Sequence, residues 1–350
     1  MNRAQHLARQ IDTSPSTLQP NPTMSNNNKS PQILHDYLNS IQLTSIHPQL
    51  DTVIYSVAHS SLLISQRLNE CTTIQYNNTD NVFGDHQLNI DVDTDNIVFN
   101  ILKQNQHIAT ASSEESPTVI PLHNNNSYSV TFDPLDGSSI IDANITVGSI
   151  YSIFSGSSIT DITGRANCVA SMIAVYGPRL VLYIGLILLN NNDQQHSTQK
   201  YCIECTYNNK TNQWIVTNTN ITLSPSCKYF APANLRCAAE SSEYMQLIQY
   251  YITNKYTLRY TGGLVPDIAH MLSKRQGIFI SPISTQSKPK LRLLYEVIGI
   301  AYLIESCGGS AIDQHGVNIL DINVSGTDVR TGLICGSMDE INRFKQYYSI

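Results

Sequence analysis

Phe132-Asp133-Pro134-Leu135-Asp136-Gly137-Ser138-Ser139 sets two carboxylates three residues apart on a stiff corner of the chain. Pro134 has a fixed φ and no N–H, and it drives Asp133 into an extended conformation, so the apolar run 128–132 is expected to end as a strand and turn there. Gly137 continues the turn with backbone angles closed to other residues. Ser138 and Ser139 add hydroxyl and N–H groups of the kind that hold phosphate oxygens. Carboxylates beside a phosphate repel it unless a cation lies between them, so these residue types point to metal-assisted work on a phosphoryl group. Two lone aspartates taken by themselves read first as an Asx-type turn on the surface.

Other acids bear on that choice. Ser112-Ser113-Glu114-Glu115-Ser116 carries adjacent glutamates that are ordinarily solvated in a loop; folded against Asp133 and Asp136, four carboxylates need divalent cations to neutralise them. Glu296 is the most informative acid. It lies in an otherwise apolar helical stretch, 291–306, where an unpaired carboxylate is costly. Asp91, at the start of an amphipathic helix through Ile97, Ile101 and Leu102, reads first as an N-terminal cap.

The elements around these residues alternate. Helices are expected over 33–41 and 50–68, the second with Ile54, Val57, Ala58, Ser61, Leu62 and Ser65 on one face. From 128 to 189 the pattern reads strand, turn, strand (147–154), helix (165–175), then the apolar strand 180–189; that last run is too short to span a bilayer. Asn190 to Thr198 reads as an exposed hairpin tip, and a boundary between two halves, 33–222 and 223–350, is expected near 219–232. Beyond it come a helix capped by Ser241 or Ser242, a helix begun by Pro266 and stopped at Gly277, a strand 278–280, the helix 291–306, a strand 332–335 and a helix from Asp339. Spacing alone says only mixed α/β.

Phe132 to Ser139, with Ile141-Asp142, resembles the signature of the fructose-1,6-bisphosphatase and sedoheptulose-1,7-bisphosphatase superfamily. Stretches 81–93, 111–116, 128–178, 256–267 and 290–309 resemble its sedoheptulose-bisphosphatase branch, so the likeness spans roughly residues 50–345. The resemblance implies a layered α/β/α/β/α sandwich in two halves, a homodimer or homotetramer, and hydrolysis of a sugar bisphosphate with two or three Mg²⁺ ions, or Mn²⁺. It implies metal ligands at Glu114, Asp133, Asp136, Glu296, the Leu135 carbonyl and Asp85; water orientation by Asp85, Asp91 and Glu115; and substrate contacts at Asp136, Gly137, Ser138, Ser139, Asn234, Arg259, Tyr260 and Lys290. Arg259 would reach toward a neighbouring subunit, its planar fork suiting a phosphate; Lys288 would be exposed and His86 a bystander. Where plastid members keep a regulatory cysteine pair, this chain reads Tyr76-Asn77-Asn78-Thr79, which implies that such control is absent. Within the superfamily the seven-carbon substrate is favoured, with fructose 1,6-bisphosphate next; a catalytically silent relative is the reading of another class.

Composition narrows the partners. The 350 residues are 41% hydrophobic and only 14% charged, with a formal net charge of −6, which disfavours nucleic acid and leaves attraction of an anionic sugar to cations and a few basic side chains. Several of the eight cysteines lie in apolar stretches, as reduced core cysteines do, and Cys202-x-x-Cys205 stands without a second pair. A glycan at the sequon Asn144-Ile145-Thr146, beside the turn, would be intolerable, so secretion is not expected. Residues 1–32 read as a disordered tail without a secretory signal, and a cytoplasmic location is expected; the tail loosely resembles a peroxisomal or other organellar address. No membrane partner is expected.

Overall fold

Residues 32–73, 76–80, 86–189 and 198–350 are described in this structure, a computed structural model. The tail expected over 1–32, apart from Gln32, and Asp85 lie outside the described residues, as does the polar run after Leu189 up to Thr198.

Runs rich in Val, Ile, Ala and Tyr pair into an eight-stranded sheet. From edge to edge it runs Gln213–Asn218, Thr198–Asn208, Leu180–Leu189, Cys168–Tyr176, Val147–Ser155, Tyr128–Asp136, Ile108–Ser113 and Ile120–Pro121. Every neighbour is antiparallel except Ile108–Ser113, which runs parallel to Tyr128–Asp136. A five-stranded sheet orders Thr257–Leu258, Tyr229–Pro232, Ile278–Ser281, Leu333–Gly336 and Ser310–Ile312.

Strand alternation divides the apolar side chains among three cores. Tyr151, Ile153 and Met172 face the helices Leu34–Ser40, Leu50–Glu70 and Asn89–Leu102. Ile150, Phe154 and Ile173 face the opposite way, onto Leu264–Lys274 and Ile298–Ser306, against which Phe279, Leu333 and Cys335 of the small sheet also pack. Ile278, Ile280 and Ile334 turn outward onto Ser242–Thr253 and Met338–Tyr348. The layers are therefore α/β/α/β/α, as the resemblance implied. Ile298–Ser306 is buried at every position, as a helix enclosed between two sheets must be. Among the described residues no helix is long and apolar enough to cross a membrane.

Several expectations are corrected. The expected helix 165–175 is a strand, Cys168–Tyr176, preceded by only one helical turn, Gly164–Asn167. Its alanines and methionine favour helix locally, but both flanking strands need a partner there, and tertiary pairing overrides propensity. The strand expected to stop before Pro134 continues to Asp136. Asp133 pairs with Ile150 and Asp136 with Gly148, so three steps on one strand oppose two on the other; the missing proline donor falls in this bulge. The helix assigned to Pro266 begins at Leu264, and that placed at 291–306 begins with a wide turn, Leu293–Val297, in which the Val297 N–H reaches the Arg292 carbonyl five residues back. Cys202 and Cys205 face opposite cores of their strand, so the CxxC spacing forms no site, and all eight cysteines are free thiols.

Candidate active site

Parallel pairing aligns the ends of two strands, Ser113 beside Phe132, and the Glu114 N–H donates to the Phe132 carbonyl at 3.0 Å. Glu114 thereby comes to lie next to Asp133. Glu296 arrives from the enclosed helix, whose wide first turn is fastened to the sheet: Thr131 Oγ1 donates to the Leu294 carbonyl at 3.0 Å, and the Ser112 and Tyr295 hydroxyls meet at 2.8 Å. The result is a group of three carboxylates, Glu114, Asp133 and Glu296, whose oxygens lie within 4.8 Å of one another. Each of the two deeper acids keeps one backbone donor, Leu135 N–H to Asp133 at 2.9 Å and Arg292 N–H to Glu296 at 2.6 Å.

Asp136 takes a neighbouring but different position. Its oxygens accept the Leu264 and Val265 N–H groups at 3.2 and 2.6 Å, capping the helix Leu264–Lys274 at its positive end. Gly148, opposite Asp136 in the ladder, permits this approach, because a Cβ there would collide with the Val265 side chain and the Ala174 carbonyl.

Burial governs the charges. It raises Asp133 well above the usual carboxylate range, reinforced by the charges of Asp136 and Glu296. Burial lifts Asp136 to about 6 against its two backbone donors, and Glu296 to about 7 against the Arg292 N–H. Carboxylates that resist ionising together form a hard-oxygen donor set that a small divalent cation would ionise and hold, so the residues fit Mg²⁺ or Mn²⁺.

Asp91 does what a cap does, accepting the Leu88 N–H at 2.9 Å, yet burial and the charge of Glu115 raise it to about 7. Asp91 thus lies within electrostatic reach of Glu115. Asp95, one helical turn on, was not singled out from the sequence. It is buried and accepts the Ser113 and Ser116 hydroxyls at 2.5 and 2.8 Å, while Ser113 Oγ accepts the Ser116 N–H at 2.9 Å. Those bonds shape the loop that presents Glu114 and Glu115. The signal was present: Asp91 and Asp95 stand four apart on one helix face. Asp95→Asn is expected to lower kcat about tenfold, as loss of a supporting hydrogen bond does; steady-state phosphate release, with circular dichroism as the control, measures it.

Arg292 was also missed. It is 1% exposed, forms an ion pair with Glu114, and holds Nε 3.9 Å from Asp328 Oδ1. The alternation Lys288-x-Lys290-x-Arg292 hinted at it, but the surrounding apolar run concealed a cation facing inward.

Next to Asp136 opens a cleft of about 290 Å³. Of the expected substrate residues, Asp136, Ser139, Asn234, Tyr260 and Lys290 line it. Asn234 is steadied by donation of its Nδ2 to the Pro282 carbonyl at 2.8 Å. Gly137, at φ 90°, turns the chain into the short helix Ser138–Ala143; neither it nor Ser138 reaches the cleft wall. Arg259 is exposed elsewhere, its guanidinium over the Tyr229 ring at 5.8 Å. Arg236 and Lys288, neither of them expected, supply cations to the wall beside Lys290; Lys288 is exposed, as expected, but at the cleft.

Comparison with known proteins gives a consistent result. The fructose-1-6-bisphosphatase N-terminal domain family matches residues 37–188, and the corresponding C-terminal domain family matches residues 223–349. The chain is 39% identical over 277 residues to the chloroplastic sedoheptulose-1,7-bisphosphatase of Spinacia oleracea, covering 76% of this chain and 66% of that protein. It is 35% identical over 272 residues to the class 1 fructose-1,6-bisphosphatase of Geotalea uraniireducens, covering 77% and 82%. A Toxoplasma gondii crystal structure assigned as a sedoheptulose-1,7 bisphosphatase superposes with a TM-score of 0.81 at 32% identity, over 91% of this chain and 98% of that one.

Proposed function

Because the chain belongs to the fructose-1,6-bisphosphatase family, whose named relatives are sugar bisphosphatases, we propose that it removes the 1-phosphate of sedoheptulose 1,7-bisphosphate, yielding sedoheptulose 7-phosphate and phosphate. The observation that carries the reading is the three-carboxylate group whose neighbour Asp136 lines a cleft that also holds Arg236, Lys288 and Lys290. One end suits cations and a reacting phosphate; the other suits a second phosphate.

Glu114, Asp133 and Glu296, with Asp136 and the Leu135 carbonyl adjacent, would hold Mg²⁺ or Mn²⁺, which when bound supplies charge neutralisation of the phosphoryl oxygens and an acidified water. The chain's own residues do the rest. Glu115 and Asp91 orient the attacking water and accept its proton, with Asp85 as a third acid. Ser139, set by the Gly137–Ser138 turn, steadies the reacting phosphate, Asn234 and Tyr260 the sugar, and Lys290 with Lys288 and Arg236 the distal phosphate. Arg259, exposed away from its own cleft, would serve a neighbouring subunit of a homodimer or homotetramer. Residues 33–222 and 223–350 are the two halves of the enzyme, and the cytoplasm is its proposed location.

A specific observation keeps fructose 1,6-bisphosphate as the second reading: relatives of both names match at similar identity over similar shares of the chain, and a pocket separates substrates one carbon apart only weakly. Phosphate release with Mg²⁺ on both sugars, with Asp133→Asn as the blank, decides between them. A clear preference for the seven-carbon sugar supports the proposal, equal or reversed rates replace it by the second reading, and silence on both from folded protein ends the enzymatic one.

A further inference from the structure

We propose that Glu240 is a positioning residue for the distal phosphate, its carboxylate clamping the two segments that carry Arg236, Lys288 and Lys290 into one wall of the cleft. The proposal rests on the reading that these three cations take the second phosphate of the substrate. Arg236 lies in the short helix Leu235–Ala239, and Glu240 ends it, its N–H donating to the Cys237 carbonyl at 3.0 Å. Lys288 and Lys290 belong to residues 282–291, which form neither helix nor strand. No backbone ladder orders such a stretch, so side chains must.

The two segments are fastened at two points. At the base, the Pro282 carbonyl accepts Asn234 Nδ2 at 2.8 Å and the Cys237 thiol at 3.2 Å. At the tip, the Ser284 N–H donates to the Ser287 carbonyl at 3.0 Å, and the Ser287 N–H donates back to Ser284 Oγ at 2.9 Å. Glu240 grips this tip with both oxygens. Its Oε2 accepts the Ser284 hydroxyl at 2.5 Å and the Gln286 N–H at 3.3 Å, and its Oε1 accepts the Ser287 hydroxyl at 3.1 Å. The Ser284 hydroxyl, before the other donors, holds the Glu240 carboxyl below its ordinary range, so the clamp is ionised at neutral pH and its hydrogen bonds are charge-assisted. Lys288 is the residue after the gripped Ser287, and Lys290 follows two positions on.

Charge alone predicts the opposite role. Glu240 is an exposed anion on the segment of Arg236, and deleting it should by Coulomb's law tighten the binding of a phosphate. A clamp does the reverse: once it is released, Lys288 and Lys290 must be ordered each time a phosphate binds, and that cost appears as lost affinity.

The test sets KM and kcat for sedoheptulose 1,7-bisphosphate beside calorimetric binding of sedoheptulose 7-phosphate, which keeps only the distal phosphate, on the full-length chain. Glu240→Ala is expected to raise KM and the dissociation constant about tenfold, with kcat within about twofold of wild type. Glu240→Gln keeps the shape and one accepting oxygen, so its loss should be smaller. Ser284→Ala should weaken binding in the same way, and adding it to Glu240→Ala should cost little more, because both remove one clamp. Unchanged or tighter binding by Glu240→Ala overturns the proposal, as does a fall in kcat with KM held. If Glu240→Ala does not fold, Ser284→Ala decides alone by the same criteria. Lys290→Ala separates this inference from the reading beneath it. Binding of sedoheptulose 7-phosphate that Lys290→Ala leaves intact removes the distal-phosphate reading and the clamp with it, whereas binding that depends on Lys290 but not on Glu240 removes only the clamp.

Discussion

Asp133→Asn is expected to cut phosphate release at saturating Mg²⁺ and substrate by about 10³-fold or more, the equivalent of roughly 4 kcal/mol of lost transition-state stabilisation. The asparagine keeps the shape and can still accept the Leu135 N–H, so the bulge that carries Asp136 should persist. What it loses is one of three converging negative oxygens. Because burial and two neighbouring acids disfavour charge at this position, the neutral variant without divalent cations should be at least as resistant to urea as the wild type. Loss of activity with undiminished stability separates a functional acid from a structural one. Activity within tenfold of wild type would remove Asp133 from the proposed ligands.

Without divalent cations, stability should fall as the pH rises from about 4 to about 7. The sign follows from proton uptake. Asp136 and Glu296 start from ordinary values of 3.8 and 4.5 and are lifted by burial to about 6 and about 7, so in that window the folded chain holds protons that the unfolded chain has released. Raising the pH then favours unfolding, by roughly 3 kcal/mol for each of the two acids acting separately. Asp91 and Asp267, both also raised by burial to about 7, act in the same direction. Saturating Mg²⁺ should reverse the trend near pH 8, because a cation stabilises the ionised folded form by mass action. Urea midpoints at pH 5 and pH 8, in chelator and in Mg²⁺, measure both effects. A chelator profile flat across this range would mean that the acids are not buried against one another.

Much of this chemistry was legible before any fold was known. Glu296 stood out because an apolar helix has no other reason to carry a carboxylate, and Asp133 and Asp136 by their spacing around Pro134 and Gly137, whereas Glu114 read as a solvated loop acid until the resemblance implied a ligand. The Ser241 cap and the helix it begins, the strands 147–155 and 180–189, and the helix from Leu50 were equally readable, since each is set by residues a few positions apart. The strand Cys168–Tyr176 was not, because its Ala and Met residues favour a helix until two flanking strands require a partner.

The site divides in the same way. The chain by itself determined the acids around the Pro134 turn and in the apolar helix as candidates for a cation, and its resemblance to a family named the rest: residue type and local turn chemistry are written in short stretches. Only the tertiary structure decided that Arg292 faces Glu114, that Asp95 braces the Glu114–Glu115 loop, that Asp136 caps a helix far along the chain, and that Arg236 lines the cleft while Arg259 does not. Those relations are fixed by strand register and by the packing of an enclosed helix between two sheets. The second joins residues more than a hundred positions apart, which no local spacing records.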